Sequence, residues 1–225
     1  MKKLVFSILL TLLSPAHASE PGISGTCGDT LPENLIPPPD RPPAGLKRYK
    51  HYCYTDASGS HDLLLSETQD RPGGDAPLSG TIEARLFRRV PNDAPRLLWT
   101  IRDRPDPQED GVRFWAALTE LTDLDHDGMV DPILVYRFQD KNRSDDPAFS
   151  GRLKIILFHQ GRKVVIRARS GTLDDERETS ATASYFDLPL VIRRHLVAKM
   201  AKMYRDDLFG FDNTHRFQPL KPSQR

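Results

Sequence analysis

Short apolar runs separated by turn residues dominate the chain from Lys47 onward. Each run spans six to eleven residues and is rich in β-branched and aromatic side chains, and the breaks carry glycine, proline, asparagine or aspartate. Those breaks predict turns, because glycine permits positive φ, proline fixes φ and Asx side chains bond to nearby backbone. The predicted strands are Tyr49–Tyr54, His61–Ser66, Gly80–Val90, Arg96–Arg102, Val112–Thr122, Pro132–Phe138, Arg152–His159 and Lys163–Arg169.

The order of these strands favours an antiparallel protein. No helical pattern lies between consecutive strands, and parallel neighbours need a long crossover that is usually a helix. We therefore expect a mainly β fold: a single antiparallel meander sheet, arranged as part of a propeller-like unit or as a sandwich. Residues 47–210 are long enough to form one domain with its own core.

One amphipathic helix is predicted near the C-terminus. Asp187 is placed to cap a helix from Leu188 to about Asp206, with Pro189 in the first turn. Its apolar positions recur three or four residues apart and are Leu188, Ile192, Leu196, Met200 and Met203. Its basic positions lie elsewhere on the helical wheel and are Arg193, Arg194, Lys199, Lys202 and Arg205. We expect the apolar stripe to cover the sheet and the basic side chains to be solvated.

The first 18 residues have the pattern of a secretory signal peptide. A positive start at Lys2 and Lys3 precedes an apolar run, and Ala16-His17-Ala18 ends in small residues, so cleavage is predicted after Ala18. The run is too short to span a bilayer, and no transmembrane segment is expected in the mature chain. Export predicts a periplasmic or secreted protein. Residues 19–46 are expected to form a proline-rich extended arm, and residues 211–225 a loose tail.

The two cysteines predict a disulfide. Cys27 and Cys53 are the only pair in the chain, and exported proteins keep such pairs oxidised. The bridge would close a loop of about 26 residues, which corresponds to roughly 3 kcal/mol of stabilisation. We expect it to tie the proline-rich arm to the domain.

Charge composition argues against nucleic acid as a partner. Removal of Lys2 and Lys3 leaves 32 − 2 = 30 basic residues against 31 acidic ones. Nucleic-acid binding normally requires a basic excess or stripe. The oligomeric state is left open.

A run of alternating aspartates between two predicted strands indicates a metal site. Carboxylates fall at positions 1, 3, 5 and 9 of the loop that begins at Asp123, with glycine at position 6. Calcium binds six to eight oxygen atoms, and alternate carboxylates in a curled loop can converge on one ion. Gly128 permits a sharp turn that would present a carbonyl from position 7. The predicted ligands are Asp123, Asp125, Asp127, the Met129 carbonyl and Asp131, with Ca²⁺ as the ion; an empty Asx-rich turn is the alternative.

The flanks of this loop distinguish it from an EF-hand. Position 12 is Leu134 instead of a bidentate glutamate, and strand-like sequence lies on both sides. The segment Asp123–Asp131 resembles the FG-GAP or integrin-type calcium loop, in which Asp-x-Asp-x-Asp-Gly-x-x-Asp joins two β-strands. Those proteins carry several copies around a propeller, whereas this chain has one, so a full propeller is not implied.

A wider resemblance extends from about Tyr52 to Tyr204. It rests on the loop Thr122-Asp123-Leu124-Asp125-His126-Asp127-Gly128, the following strand Ile133-Leu134-Val135-Tyr136, and the strand Leu153-Lys154-Ile155-Ile156-Leu157. In this pattern the chain resembles small bacterial envelope proteins classified as surface polysaccharide biosynthesis proteins. The resemblance implies a link to surface polysaccharide and supplies no catalytic residues.

These features favour an exported, calcium-stapled, non-catalytic protein that binds an envelope polysaccharide or an envelope protein. The sequence contains neither a Gly-x-Ser-x-Gly nucleophile elbow nor an HExxH zinc motif. Enzymatic activity is left open. The alternatives are a glycan hydrolase that uses loop carboxylates such as Asp106, Asp110, Asp145 and Asp146, and a periplasmic inhibitor or immunity protein.

Overall fold

A computed structural model describes residues 22–24, 36–74, 76–141 and 146–221. The predicted signal peptide and Cys27 lie outside these ranges. The fold is mainly β and antiparallel, as predicted. The strands are β1 Gly22–Ser24, β2 Lys47–Asp56, β3 Gly59–Glu67, β4 Ile82–Arg88, β5 Arg96–Asp103, β6 Glu109–Phe114, β7 Glu120–Thr122, β8 Asp131–Asp140, β9 Arg152–His159, β10 Arg162–Arg169 and β11 Glu178–Ala181. The helices are α1 Ala183–Phe186 and α2 Leu190–Arg205.

The strands form two sheets that follow the order of the chain. The first sheet has the order β1-β2-β3-β4-β5, and the second has the order β11-β10-β9-β8-β6. Strand β7 also pairs with β8, at residues 131–133, whereas β6 pairs with residues 136–140. The predicted strand over 112–122 is therefore two strands, because a 3-10 turn at Ala116–Leu118 interrupts it. Each sheet is a meander, and the chain passes from one to the other between β5 and β6.

The second sheet is buried on both faces. One face packs against α2 through Ile133, Val135, Leu153, Ile155, Leu157, Val164 and Ile166. The opposite face packs against the first sheet through Leu134, Tyr136, Phe138, Ile156 and Phe158. Alternate residues of a strand point to opposite faces, so a strand covered on both faces reads as a continuous apolar run. The uninterrupted runs in β8 and β9 thus reflect a three-layer arrangement of sheet, sheet and helix.

The proline-rich arm lies over the outer face of the first sheet. Ile36 is buried with Leu64 and Phe87, and the Asp40 carbonyl accepts a hydrogen bond from Arg85. The arm is not extended throughout, because Pro38–Asp40 forms one 3-10 turn. Coverage by the arm explains why β3 is buried on both faces although its sheet is at the outside of the sandwich.

The predicted disulfide involves one described cysteine. Cys53 lies on β2 opposite Ser24 of β1, and no free cysteine occurs among the described residues. This pairing brings the backbone three residues before Cys27 next to Cys53. The Cys27–Cys53 bond itself stays a prediction, because Cys27 is outside the described ranges.

Helix α2 confirms the predicted apolar stripe and corrects two details. Leu188, Ile192, Leu196, Met200 and Met203 are all buried. The helix begins at Leu190, not at Leu188, with Pro189 at the N-cap position. Asp187 does not cap it; this residue ends α1, and its carboxylate accepts a hydrogen bond from Arg162.

The chain end packs more tightly than its polar composition suggested. The tail predicted to be loose contains Phe211, which is fully buried. Further along, the backbone N–H of Ala181 donates to the Leu220 carbonyl at 3.0 Å. The described part of the tail, up to residue 221, therefore adds to the edge of the second sheet at β11. Two aromatic residues, Phe209 and Phe211, supply the apolar contacts that hold it there.

The predicted solvated face of α2 contains one buried cation. Lys199 is 8% exposed; its ammonium donates to the Leu118 carbonyl at 2.8 Å and forms an ion pair with Glu120. His195, one turn earlier, lies 2.6 Å from the other Glu120 oxygen. Burial opposes ionisation of Glu120, but the hydrogen bonds from His195 and Lys199 outweigh it and lower the Glu120 pKa. This cluster anchors α2 to β7.

Leu196→Ala should lower the free energy of unfolding by about 2–5 kcal/mol, because it leaves a cavity between α2 and the second sheet. Leu190→Ala on the same helix removes a side chain that is 52% exposed, and we expect a change within about 0.5 kcal/mol. Urea denaturation of both variants measures the difference. Equal losses would contradict the assigned face of the helix.

Acid should weaken the anchor of α2. A carboxyl whose pKa is lower in the folded state stabilises the fold above its ordinary value, here 4.5, and loses that contribution as pH falls through the folded pKa. The unfolding free energy of the wild type should therefore decrease as the pH is lowered below 4.5. In Glu120→Gln the unfolding free energy should decrease less over the same pH range. Urea titrations between pH 3 and pH 7 test this, with the exposed Asp175→Asn as control. An unchanged slope in Glu120→Gln would refute the anchor.

Candidate metal centre

The acidic loop lies between β7 and β8 at one end of the second sheet. Its backbone is sharply curled, since both His126 (φ 61°) and Gly128 (φ 87°) have left-handed conformations. Glycine adopts such φ values without steric cost, whereas a residue with a Cβ is strained there. Gly128 thus allows the curl that the sequence pattern required.

The carboxylates of the loop converge. Asp123, Asp125 and Asp127 each offer an oxygen atom, and these atoms lie within 4.8 Å of one another. Asp125 and Asp131 also form a second such group with a ring nitrogen of His159. Asp125 belongs to both groups and is the centre of the cluster. The first three predicted carboxylates are therefore close enough for a shared ion, and Asp131 joins them through its approach to Asp125.

Hydrogen bonds within the loop hold its shape. Asp123 accepts from the backbone N–H groups of Asp127 at 3.1 Å and Gly128 at 2.9 Å. Asp127 accepts from the Met129 N–H at 2.8 Å. The predicted role of the Met129 carbonyl as a ligand stays a prediction.

One oxygen of Asp125 lacks a protein partner. Its Oδ1 is buried and accepts no hydrogen bond from the described residues. Buried polar atoms in folded proteins nearly always have a partner, and those without one require an explanation. A cation among the three carboxylates of Asp123, Asp125 and Asp127 would supply that partner.

Asp131 is held by a residue that the sequence reasoning missed. It is 2% exposed; its Oδ1 lies 2.9 Å from His159 Nδ1, and its Oδ2 accepts the Leu124 N–H at 3.1 Å. Burial raises the Asp131 pKa, although both contacts favour the ionised form. Strand pairing was the signal in the sequence that could have found His159. Antiparallel pairing of β8 with β9 places Asp131, at the start of β8, beside His159, at the end of β9. A search for zinc motifs does not find His159, because such motifs depend on spacing along the chain.

The loop also contacts the first sheet. The backbone N–H of Ala57, in the turn between β2 and β3, donates to the Gly128 carbonyl at 2.9 Å. In return, the Val130 N–H donates to Asp56 Oδ2 at 3.2 Å. The turn and the loop thus join the two sheets at the end where the carboxylates converge.

The same turn contains a serine, a histidine and an aspartate in proximity. Ser58 Oγ lies 3.3 Å from His61 Nε2 and donates to Asp56 Oδ1 at 2.7 Å. His61 is only 2% exposed, and burial lowers its pKa. These contacts stabilise the turn.

The acidic segment considered for a hydrolase is neutralised by β9. Asp103 pairs with Lys154 at 2.5 Å, and Arg152 pairs with Glu109 at 2.5 Å and with Asp106 at 3.2 Å. Asp146 accepts the Ala148 N–H at 2.8 Å. Asp145 lies outside the described residues. Of the four proposed acids, all three that the structure describes, Asp106, Asp110 and Asp146, therefore have interaction partners.

No family model matches the chain, and neither the curated proteins nor the solved structures contain a significant match. Both resemblances drawn from the sequence stay predictions. In the described part of the chain, no helix is long and apolar enough to cross a membrane.

Asp56→Ala should lower the free energy of unfolding by about 1–3 kcal/mol, because it removes the acceptor of the Val130 and Ser58 donors. Asp93→Ala is the matched control: this exposed turn residue accepts only from its neighbour Ala94 among the described hydrogen bonds, and we expect about 0.5 kcal/mol or less. Chemical denaturation measures both. Equal effects would contradict the role of Asp56 in joining loop and turn.

Proposed function

We propose that this is an exported, non-catalytic binding protein of the cell envelope, stapled by one calcium ion in the Asp123–Asp131 loop. The observation that carries the proposal is the convergence of carboxylate oxygens within 4.8 Å around Asp125. The ligands would be Asp123, Asp125, Asp127, Asp131 and the Met129 carbonyl. The proposed ligand of the protein as a whole is an envelope polysaccharide or an envelope protein.

The donor set favours calcium over a transition metal. All proposed ligand atoms are hard oxygens, which suit Ca²⁺, whereas imidazole and thiolate ligands suit zinc and copper. His159 is the one nitrogen donor nearby, and its Nδ1 is directed at Asp131. In this proposal His159 orients the ligating carboxylate of Asp131, and its Nε2, 3.8 Å from Asp125 Oδ2, is the atom that would act in a site with a nitrogen ligand.

A structural role for the calcium ion fits the surroundings of the loop better than a catalytic role. The loop is bonded to the β2–β3 turn on one side and to the β9–β10 turn on the other, where Gln160 donates to Asp127 at 3.0 Å. A cation would relieve repulsion among the carboxylates and fix three turns from both sheets. Extracellular calcium sites of this kind have dissociation constants of roughly 10⁻⁴–10⁻³ M.

A non-catalytic role is supported by the state of the candidate acids. Asp103, Asp106 and Glu109 are paired with Arg152 or Lys154, and paired acids are poorly placed for proton transfer. Localisation in the envelope is supported by the predicted signal peptide, and polysaccharide as the ligand by the resemblance described above.

Calcium should raise the melting temperature of the purified mature protein, and Asp125→Ala should abolish the rise. A ligand at 10 to 100 times its Kd stabilises by about 1.4–2.7 kcal/mol. Differential scanning calorimetry with and without 10 mM calcium measures this. Asp175→Ala removes an exposed carboxylate elsewhere and should respond like the wild type.

Isothermal titration calorimetry provides the decisive check. Absence of a binding heat at millimolar calcium, or an unchanged response in Asp125→Ala, would contradict the calcium site.

A further inference from the structure

A second feature of the molecule is a basic cleft on the face of the second sheet that is directed toward the first. Within that face, Val165 of β10 belongs to the core between the sheets. Arg167 and Arg169 follow on the same side of the strand, because side chains alternate, and both are exposed. The face thus continues from the buried core into a solvent-accessible cleft. The cleft measures about 180 Å³, and its polar lining is Arg152, Lys154, Arg167, Arg169, Glu178 and Ser180.

Like charges lie directly opposite each other in this cleft. In the register of β9 against β10, Lys154 lies opposite Arg167 and Arg152 lies opposite Arg169. Like-charged residues at directly opposed positions destabilise a sheet. Local arrangements that weaken a fold are found at functional sites, so the residue whose charge has no compensating partner is of interest.

Three of the four cations have carboxylate partners. Lys154 pairs with Asp103 at 2.5 Å, Arg152 with Glu109 at 2.5 Å, and Arg169 with Asp140 at 3.7 Å. Arg167 forms no ion pair with any described residue. Its guanidinium is therefore the cation available to a ligand.

The position of Arg167 defines the chemistry of that ligand. Its neighbour on the other side is Ser180 of β11, a hydroxyl donor, and the next rung pairs Arg169 with Glu178. Glu178 makes one end of the cleft less favourable to anions, so an anion would lie at the other end, beside Arg167 and Ser180. A guanidinium offers a planar fork of N–H donors that matches the oxygens of a phosphate or sulfate.

We infer that this cleft binds a phosphate or sulfate group carried by an anionic envelope polymer. The volume suits one such group, since pockets for whole drug-sized ligands measure about 300–1,000 Å³. The oxyanion site stands on the residues of β9, β10 and β11 alone. Its assignment to a polymer rests on the proposed envelope function.

Inorganic phosphate and sulfate are the first probes. Calorimetric titration at constant ionic strength, balanced with chloride, should give binding that Arg167→Gln weakens by about tenfold, as expected for loss of a charge-assisted hydrogen bond. Arg162→Gln is the matched control: it removes the same charge from β10, where Arg162 is exposed and pairs with Asp187 at 3.2 Å. It should bind like the wild type.

Equal weakening in Arg162→Gln and Arg167→Gln would overturn the site, because it would indicate general charge attraction. Absence of binding to both anions in the folded wild type would also overturn it. Circular dichroism and the melting temperature establish that Arg167→Gln, an exposed substitution, is folded.

Dextran sulfate and neutral dextran separate the two sources of the anion. Tighter binding of dextran sulfate than of inorganic sulfate, lost in Arg167→Gln and absent with neutral dextran, supports the polymer. Binding of the free ions alone would overturn the polymer assignment. Repetition in Asp125→Ala keeps the two proposals apart, since the cleft should bind anions whether or not the acidic loop binds calcium.

Discussion

Burial of the second sheet on both faces is the constraint on which the rest of the structure depends. Strands β8, β9 and β10 supply apolar residues in both directions, so one layer must cover each face. The first sheet covers one face and α2 covers the other. The first sheet in turn has an outer face, and Ile36 of the proline-rich arm covers part of it. Each peripheral element is thus explained by apolar area that would otherwise be exposed to water.

The candidate metal centre lies where this layered core ends. Asp131 begins β8 and His159 ends β9, and both are buried because their strands continue into the core. The acidic loop must curl back beside them, and it meets the β2–β3 turn of the opposite sheet through Asp56 and Gly128. Negative charge is concentrated at this junction, and uncompensated charge is costly for the buried Asp131 and for the half-buried Asp123 and Asp125. A cation at this junction would stabilise the contact between the two sheets.

Charge on the second sheet is separated along its strands. The acidic loop lies at the end of β9 marked by His159, and the basic cleft lies toward its beginning, at Arg152 and Lys154. Asp103 of β5, Glu109 of β6 and Asp106 between them pair with Lys154 and Arg152 and so neutralise part of that cleft. These acids, in a segment that the sequence offered for catalysis, thus have a structural role. No carboxylate lies directly opposite Arg167, because its neighbours in the ladder are Lys154 of β9 and Ser180 of β11.

The sequence by itself determined most of the strands, the antiparallel order, the helix stripe and the curled acidic loop, because periodicity and turn chemistry act between near neighbours. It did not reveal that β11 and the tail pair at Leu220, that Lys199 is buried, or that His159 supports Asp131. Only the tertiary structure decided these, since each depends on which strands become neighbours and what covers them. The four like-charged residues of the basic cleft were likewise invisible in the sequence. These cations lie opposite each other only because the register of β9 against β10 places Lys154 opposite Arg167 and Arg152 opposite Arg169.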